Sequence, residues 1–147
     1  MREILFQGKA KNNGEWVQGD LHNAKWKYDE KQTSLIWPKN IELEEHYEFS
    51  ESIEVIPETV GQYTGLPDKN GKKIFEKHVV KITGMLPTVN GLYKVVWDDK
   101  NHCFGLKRDT SYHHHYFTFS ELNGFHEDCE VIGNIFDNPE LMEEAQG

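Results

Sequence analysis

From Ile41 to Val55 the chain alternates apolar and polar positions. Ile41, Leu43, Tyr47, Phe49, Ile53 and Val55 occupy the odd row; Glu42, Glu44, His46, Glu48, Ser50, Ser52 and Glu54 occupy the even row. A period of two is the pattern of a strand with one buried and one wet face. Glu45 and Glu51 interrupt the odd row, which predicts a turn or bulge near each. The glutamates then form a solvated outer face rather than a metal cradle.

Turn chemistry divides the rest of the chain into short apolar runs. Asn12-Asn13-Gly14 separates Ile4–Lys11 from Glu15–Leu21, and Asn-Gly between such runs predicts an N-terminal β-hairpin. His22–Asn40 is poorly patterned, with Trp26 and Tyr28 and the Leu35-Ile36-Trp37 run as two short strand candidates and the polar Lys27–Lys31 as a turn. Asp68-Lys69-Asn70-Gly71 reads as a tight turn, because Asp and Asn bond to nearby backbone and Gly accepts positive φ. Ile74-Phe75, Val79–Thr83, Leu92–Trp97, His102–Lys107, Asp109–Phe119 and Asp128–Phe136 follow as strand candidates, with Asn90-Gly91 and Asp98–Asn101 as turns. Ser120–Asn123 reads as a single helical turn. Gly133 inside the last strand predicts a bulge or a close backbone approach. Asp137-Asn138-Pro139-Glu140 starts a short C-terminal helix.

This succession predicts a mainly β fold: a small SH3-like or related β-barrel, with an N-terminal β-hairpin and a short C-terminal helix. Residues 1–52 would hold the hairpin and first strands, and residues 53–147 the barrel-like core, together one compact unit.

Three blocks carry a family resemblance. Pro57–Glu76, PETVGQYTGLPDKNGKKIFE, resembles the central signature of the YopX family, small proteins of bacteriophages and prophages. Arg2–Lys9 with Gly14–Leu21 is similar to that family's opening, and Val131–Leu141 to its close. Where the family has Gly-Asp ahead of a strand, this chain has Lys77-His78. The resemblance implies a mainly β protein of phage origin with no established activity, and it supplies no catalytic residues.

Composition narrows the function classes. No apolar run approaches the roughly 18–20 residues that span a bilayer, and MREILFQGK lacks the apolar segment of a secretory signal. These features predict a soluble protein of the bacterial host's cytoplasm, with Cys103 and Cys129 kept as thiols. Net charge is −9. Seven glutamates fall between Ile41 and Glu58 without a Lys or Arg, and no Lys or Arg follows Arg108. Lys69, Lys72, Lys73, Lys77 and Lys81 are the one basic cluster in the sequence. With Tyr63, Phe75, Tyr93 and Trp97 as a stacking platform, that strip is the candidate surface for nucleic acid; core packing is the competing role of the aromatics.

His113, His115, His126 and Cys129, with His102 and Cys103, are the candidate zinc ligands. They contain no C-x-x-C pair, and His-His-His is not a zinc motif by itself. G-x-S-x-G, a phosphate loop and H-E-x-x-H are all missing. The expected function is therefore non-catalytic: a binding or self-assembling module without cofactor, joining its own copies or an unidentified phage or host protein. Nucleic-acid binding through Lys69–Lys81 is the alternative, and a metal-dependent enzyme at the histidines the outlying one.

Overall fold

A computed structural model describes residues 1–25, 31–39, 51–84, 87–109, 114–118 and 128–146. The chain divides into two compact units, Met1–Tyr63 and Thr64–Gly147. The alternating row from Ile41 to Ser50, the turn at Ser120–Asn123, His113 and His126 lie outside the described residues.

The first unit is an antiparallel sheet. Its strands are β1 (Phe6–Lys9), β2 (Trp16–Lys25), β3 (Gln32–Pro38), β4 (Ile53–Val55) and the start of β5 (Gly61–Pro67). They lie in the order β4-β3-β2-β1-β5. Between β1 and β2, Gly14 takes φ +72° and its N–H donates to the Ala10 carbonyl at 2.9 Å. The side chain of Asn13 accepts the Glu15 N–H at 3.0 Å, the local bond that makes Asn a turn residue. Pairing with β3 carries β2 to Lys25, beyond the Leu21 at which the sequence pattern ends. Within β4, Val55 is fully buried while Glu54 pairs with Lys11 at 2.7 Å, so the alternation holds where it is described. A 3-10 turn at Pro57–Thr59 leads to β5.

In the second unit β5 continues beside β6 (Lys73–Phe75). A second antiparallel sheet is built from β7 (His78–Ile82), β8 (Gly91–Asp98), β9 (Cys103–Asp109), β10 (His114–Thr118) and β11 (Cys129–Asn134), in the order β10-β9-β8-β7-β11. These bounds fall within a few residues of the strand candidates. Val80 and Ile82 of β7, Tyr93 and Val95 of β8, Leu106 of β9, and Cys129 and Val131 of β11 form the core with Ile74. Helix α1 (Glu140–Gln146) packs against β8 and β9.

The expected closed barrel is corrected by the strand order. β10 and β11 end the sheet on opposite sides and are not paired with each other, so the sheet is open. Two devices hold β11 in place. Its register shifts between Val131 and Gly133, a bulge. A Cβ on Gly133 would overlap the Asn138 side chain, so glycine lets the segment before α1 approach the strand closely.

Lys77 takes φ +71° in the turn between β6 and β7. A side chain costs about 1–2 kcal/mol there, where glycine is at ease. Lys77 thus holds a backbone conformation that glycine adopts more readily.

Gly19 gives a direct test of the first sheet. A Cβ at that position would overlap the carbonyl oxygen of Trp37, its neighbour on β3. Gly19→Ala is expected to lower stability by about 3 kcal/mol. Gly65→Ala meets nothing within 4 Å but must hold φ +89°, and should cost about 1 kcal/mol. Urea unfolding of both variants checks the ranking.

Candidate functional site

The densest chemistry in the described chain surrounds the turn after β5. Asp68 is 4% exposed and its carboxylate gathers three backbone donors. Its Oδ1 accepts the N–H groups of Asn70 (2.8 Å) and Lys72 (2.9 Å). Its Oδ2 accepts the N–H of Val131 at 2.9 Å, sixty-three residues away in sequence. The Lys69 N–H donates to the Cys129 carbonyl at 2.9 Å. The turn is therefore clamped along β11, with Lys69, Asn70, Gly71 and Lys72 exposed at its tip. Burial, the largest effect, pushes the Asp68 carboxyl up. The N–H donors of Val131, Lys72 and Asn70, with the Lys72 charge, outweigh it and hold the pKa below the usual Asp value.

His78 and Cys129 lie within the electrostatic reach of Asp68. A Cys, a His and an Asp together invite a nucleophile reading, and the local environment opposes it. Nδ1 of His78 accepts the Phe75 N–H at 3.2 Å, so the neutral ring carries its proton on Nε2. Burial, assisted by Lys72 and opposed by Asp68, lowers the His78 pKa to about 4. Cys129 is fully buried opposite Ile82. Burial first, then the charges of Asp68 and Glu130, push its thiol up to about 12, with Lys69 opposing. A reactive cysteine needs the reverse environment.

The basic cluster does not form one free strip. Lys69 Nζ pairs with Glu130 at 3.2 Å. Lys81 stands directly opposite the same Glu130 across β7 and β11, a position in which unlike charges attract. Lys73 is half-buried on β6. The ammonium of Lys77 lies 5.9 Å over the Phe136 ring. Lys72 is exposed.

Of the aromatic platform, Phe75 and Tyr93 are fully buried and Tyr63 is 9% exposed, which leaves none of their faces open to a base. Trp97 is 43% exposed and meets Phe104 edge to face, centroids 5.0 Å apart. Tyr93 anchors the loop that precedes its own strand, since its OH donates to the Val89 carbonyl at 2.6 Å. Arg108 lies 4.9 Å over its ring and donates to the carbonyls of Asn90 (2.8 Å) and Thr88 (3.0 Å). Arg108 thereby staples the β7–β8 loop, a role that a lone arginine on a strand did not advertise in the sequence.

The candidate zinc ligands are not brought together among the described residues. His102 is exposed in the β8–β9 turn at φ +53°. Cys103 begins β9, and His115 occupies β10 opposite Arg108. Cys129 is in the core cluster. No group of three or more His, Cys, Asp or Glu able to hold a metal occurs among the described residues.

The depressed His78 pKa makes stability depend on pH. A folded value near 4 against the ordinary 6.5 means that the unfolded chain binds more protons between those values. Stability is full above about pH 6.5 and falls as pH drops toward 4, by roughly 3 kcal/mol at most from this group. His78→Asn keeps an acceptor for Phe75 and should flatten that part of the pH–stability curve. Asp68→Ala strands the Val131 N–H and should cost about 2–3 kcal/mol at neutral pH. Thermal melts across pH, compared with the parent chain, read both effects.

Comparison with known proteins bears on the family and the fold. No curated protein matches the chain. The fold is similar to that in "Crystal structure of protein EF1440 from Enterococcus faecalis", with a TM-score of 0.56 and 19% sequence identity. That likeness covers 97% of this chain and 99% of the other, and at this identity it speaks for the fold alone. The family model described as "YopX protein" matches residues 5–143. The match spans nearly the whole chain and takes in all three sequence blocks apart from Arg2–Ile4, so this protein belongs to the YopX family.

Proposed function

We propose that the chain is a non-catalytic accessory protein of a phage or prophage, acting in the host cytoplasm by binding its own copies or a phage or host protein. The observation that carries this reading is the open second sheet. It ends at β10, beyond which no described strand follows, and an open edge recruits partners by strand addition. The meander from β7 to β10, with β11 returning to pair with β7, is consistent with an opened relative of a small SH3-like barrel. The engagement of Asp68 with backbone donors, of His78 with Phe75 and of Cys129 with the core argues against hydrolytic or thiol chemistry where these three groups gather among the described residues. No helix among the described residues is long and apolar enough to cross a membrane.

Tagged protein recovered from phage-infected cells should retain a stoichiometric protein partner after nuclease treatment, or light scattering should report self-association. Loss of every partner on nuclease treatment, with a monomer mass throughout, would overturn the reading. The ion pair of Lys69 with Glu130, the place of that same Glu130 opposite Lys81 and the net charge of −9 further predict no measurable affinity for single- or double-stranded DNA at physiological salt. Salt-sensitive binding in a mobility-shift titration, abolished by Lys72→Glu, Lys73→Glu and Lys77→Glu together, would favour the nucleic-acid reading instead.

A further inference from the structure

The strand edges of this molecule are guarded unequally. β4, which ends the first unit's sheet, is three residues long and carries Glu54, paired with Lys11. Ala10 also bridges to Val55 on that strand. β6 is three residues long and begins with Lys73. β11 has a bulge, and the turn at Asp68 covers it, taking the Val131 N–H and giving the Lys69 N–H to Cys129. Shortness, charge, a bulge and a covering loop are the standard means by which sheets avoid joining edge to edge.

β10 has none of these among the described residues. It pairs with β9 over all five of its residues in unbroken register. Its sequence, His-His-Tyr-Phe-Thr, contains no Asp, Glu, Lys, Arg, Pro or Gly.

We propose that β10 is the strand through which two copies of this chain join, antiparallel, about a two-fold axis at Tyr116. The proposal rests on the self-assembly reading above and names its partner and its register. An antiparallel strand pair on a two-fold axis is self-complementary, because the groups one copy leaves unpaired are matched by the same strand of the other. With the axis at the middle residue all five positions pair: His114 meets Thr118 of the second copy, His115 meets Phe117, and Tyr116 meets itself.

Charge favours this edge over other surfaces. Each copy carries −9, so two copies repel wherever acidic faces meet. β10 brings no fixed charge to the contact. The pair joins two open sheets into one continuous sheet, and its strength comes from backbone bonds. Added salt screens the net repulsion, so association should strengthen with salt, whereas an interface of ion pairs would weaken.

The test combines sedimentation over a wide concentration range with amide hydrogen exchange of the wild-type chain. We expect twice the monomer mass, and protection of the β10 amides that grows with concentration. His114→Glu with Thr118→Glu places carboxylates opposite each other twice across the axis, and should weaken association about tenfold or more. His114→Lys with Thr118→Glu places opposite charges there and should restore it. Circular dichroism confirms that each variant is folded; if the Glu pair does not fold, the exchange experiment decides. A dimer whose β10 amides exchange alike at all concentrations, or one indifferent to the Glu pair, would overturn the β10 interface while leaving self-assembly standing. A monomer at every concentration would overturn both, and β10 protection in that monomer would show that its own chain covers the edge.

Discussion

One buried carboxylate organises the second unit. Asp68 holds the amides of its own turn with one oxygen and the amide of Val131 with the other. The Val131 donor sits at a bulge, where the ladder to β7 shifts register and a strand would otherwise leave a backbone group without a partner. A surface turn and the last strand are thus fastened by the same side chain. The bulge lets β11 bend, Asp68 satisfies what the bend exposes, and Cys129 and Val131 are held in the core beside Val80 and Ile82. The ordered environment of His78 and Cys129 follows from this packing, which removes both from water.

Much of the fold was legible because turn residues punctuate it. The Asn-Gly and Asp-rich turns, the β-branched runs and Pro139 located most strands of the second unit and the terminal helix. Less was legible where pairing overrides local preference. β5 contains Gly61, Gly65 and Pro67, all poor strand formers; it is a strand because Gly61 and Gln62 pair with Gln7 and Phe6. The second half of β2, His22 to Lys25, has little apolar pattern and is extended by its ladder with β3. Barrel closure was the wrong inference from a correct list of strands, since local signals say where strands are and not which edges meet.

The candidate site was legible in its residue types and not in their relations. The turn at Asp68 was evident from Asp, Asn and Gly, but no local pattern links Asp68 to Val131. The lysines were read as a strip because they are close in sequence. In the fold Glu130 arrives from a distant strand and faces two of them. Core packing was the stronger reading of the aromatics, and the core takes Phe75 and Tyr93 entirely.

The covering of Cys129 has a consequence for watching this molecule move. Its thiol is sealed by the packing of β11, while Cys103 is half-buried at the start of β9. The two cysteines are the only ones in the chain. A thiol reagent therefore meets two clocks in one molecule: Cys103 responds to the breathing of a strand end, and Cys129 to the rarer opening that lifts the last strand from the core. The ratio of their labelling rates follows how often that strand detaches, without any engineered cysteine.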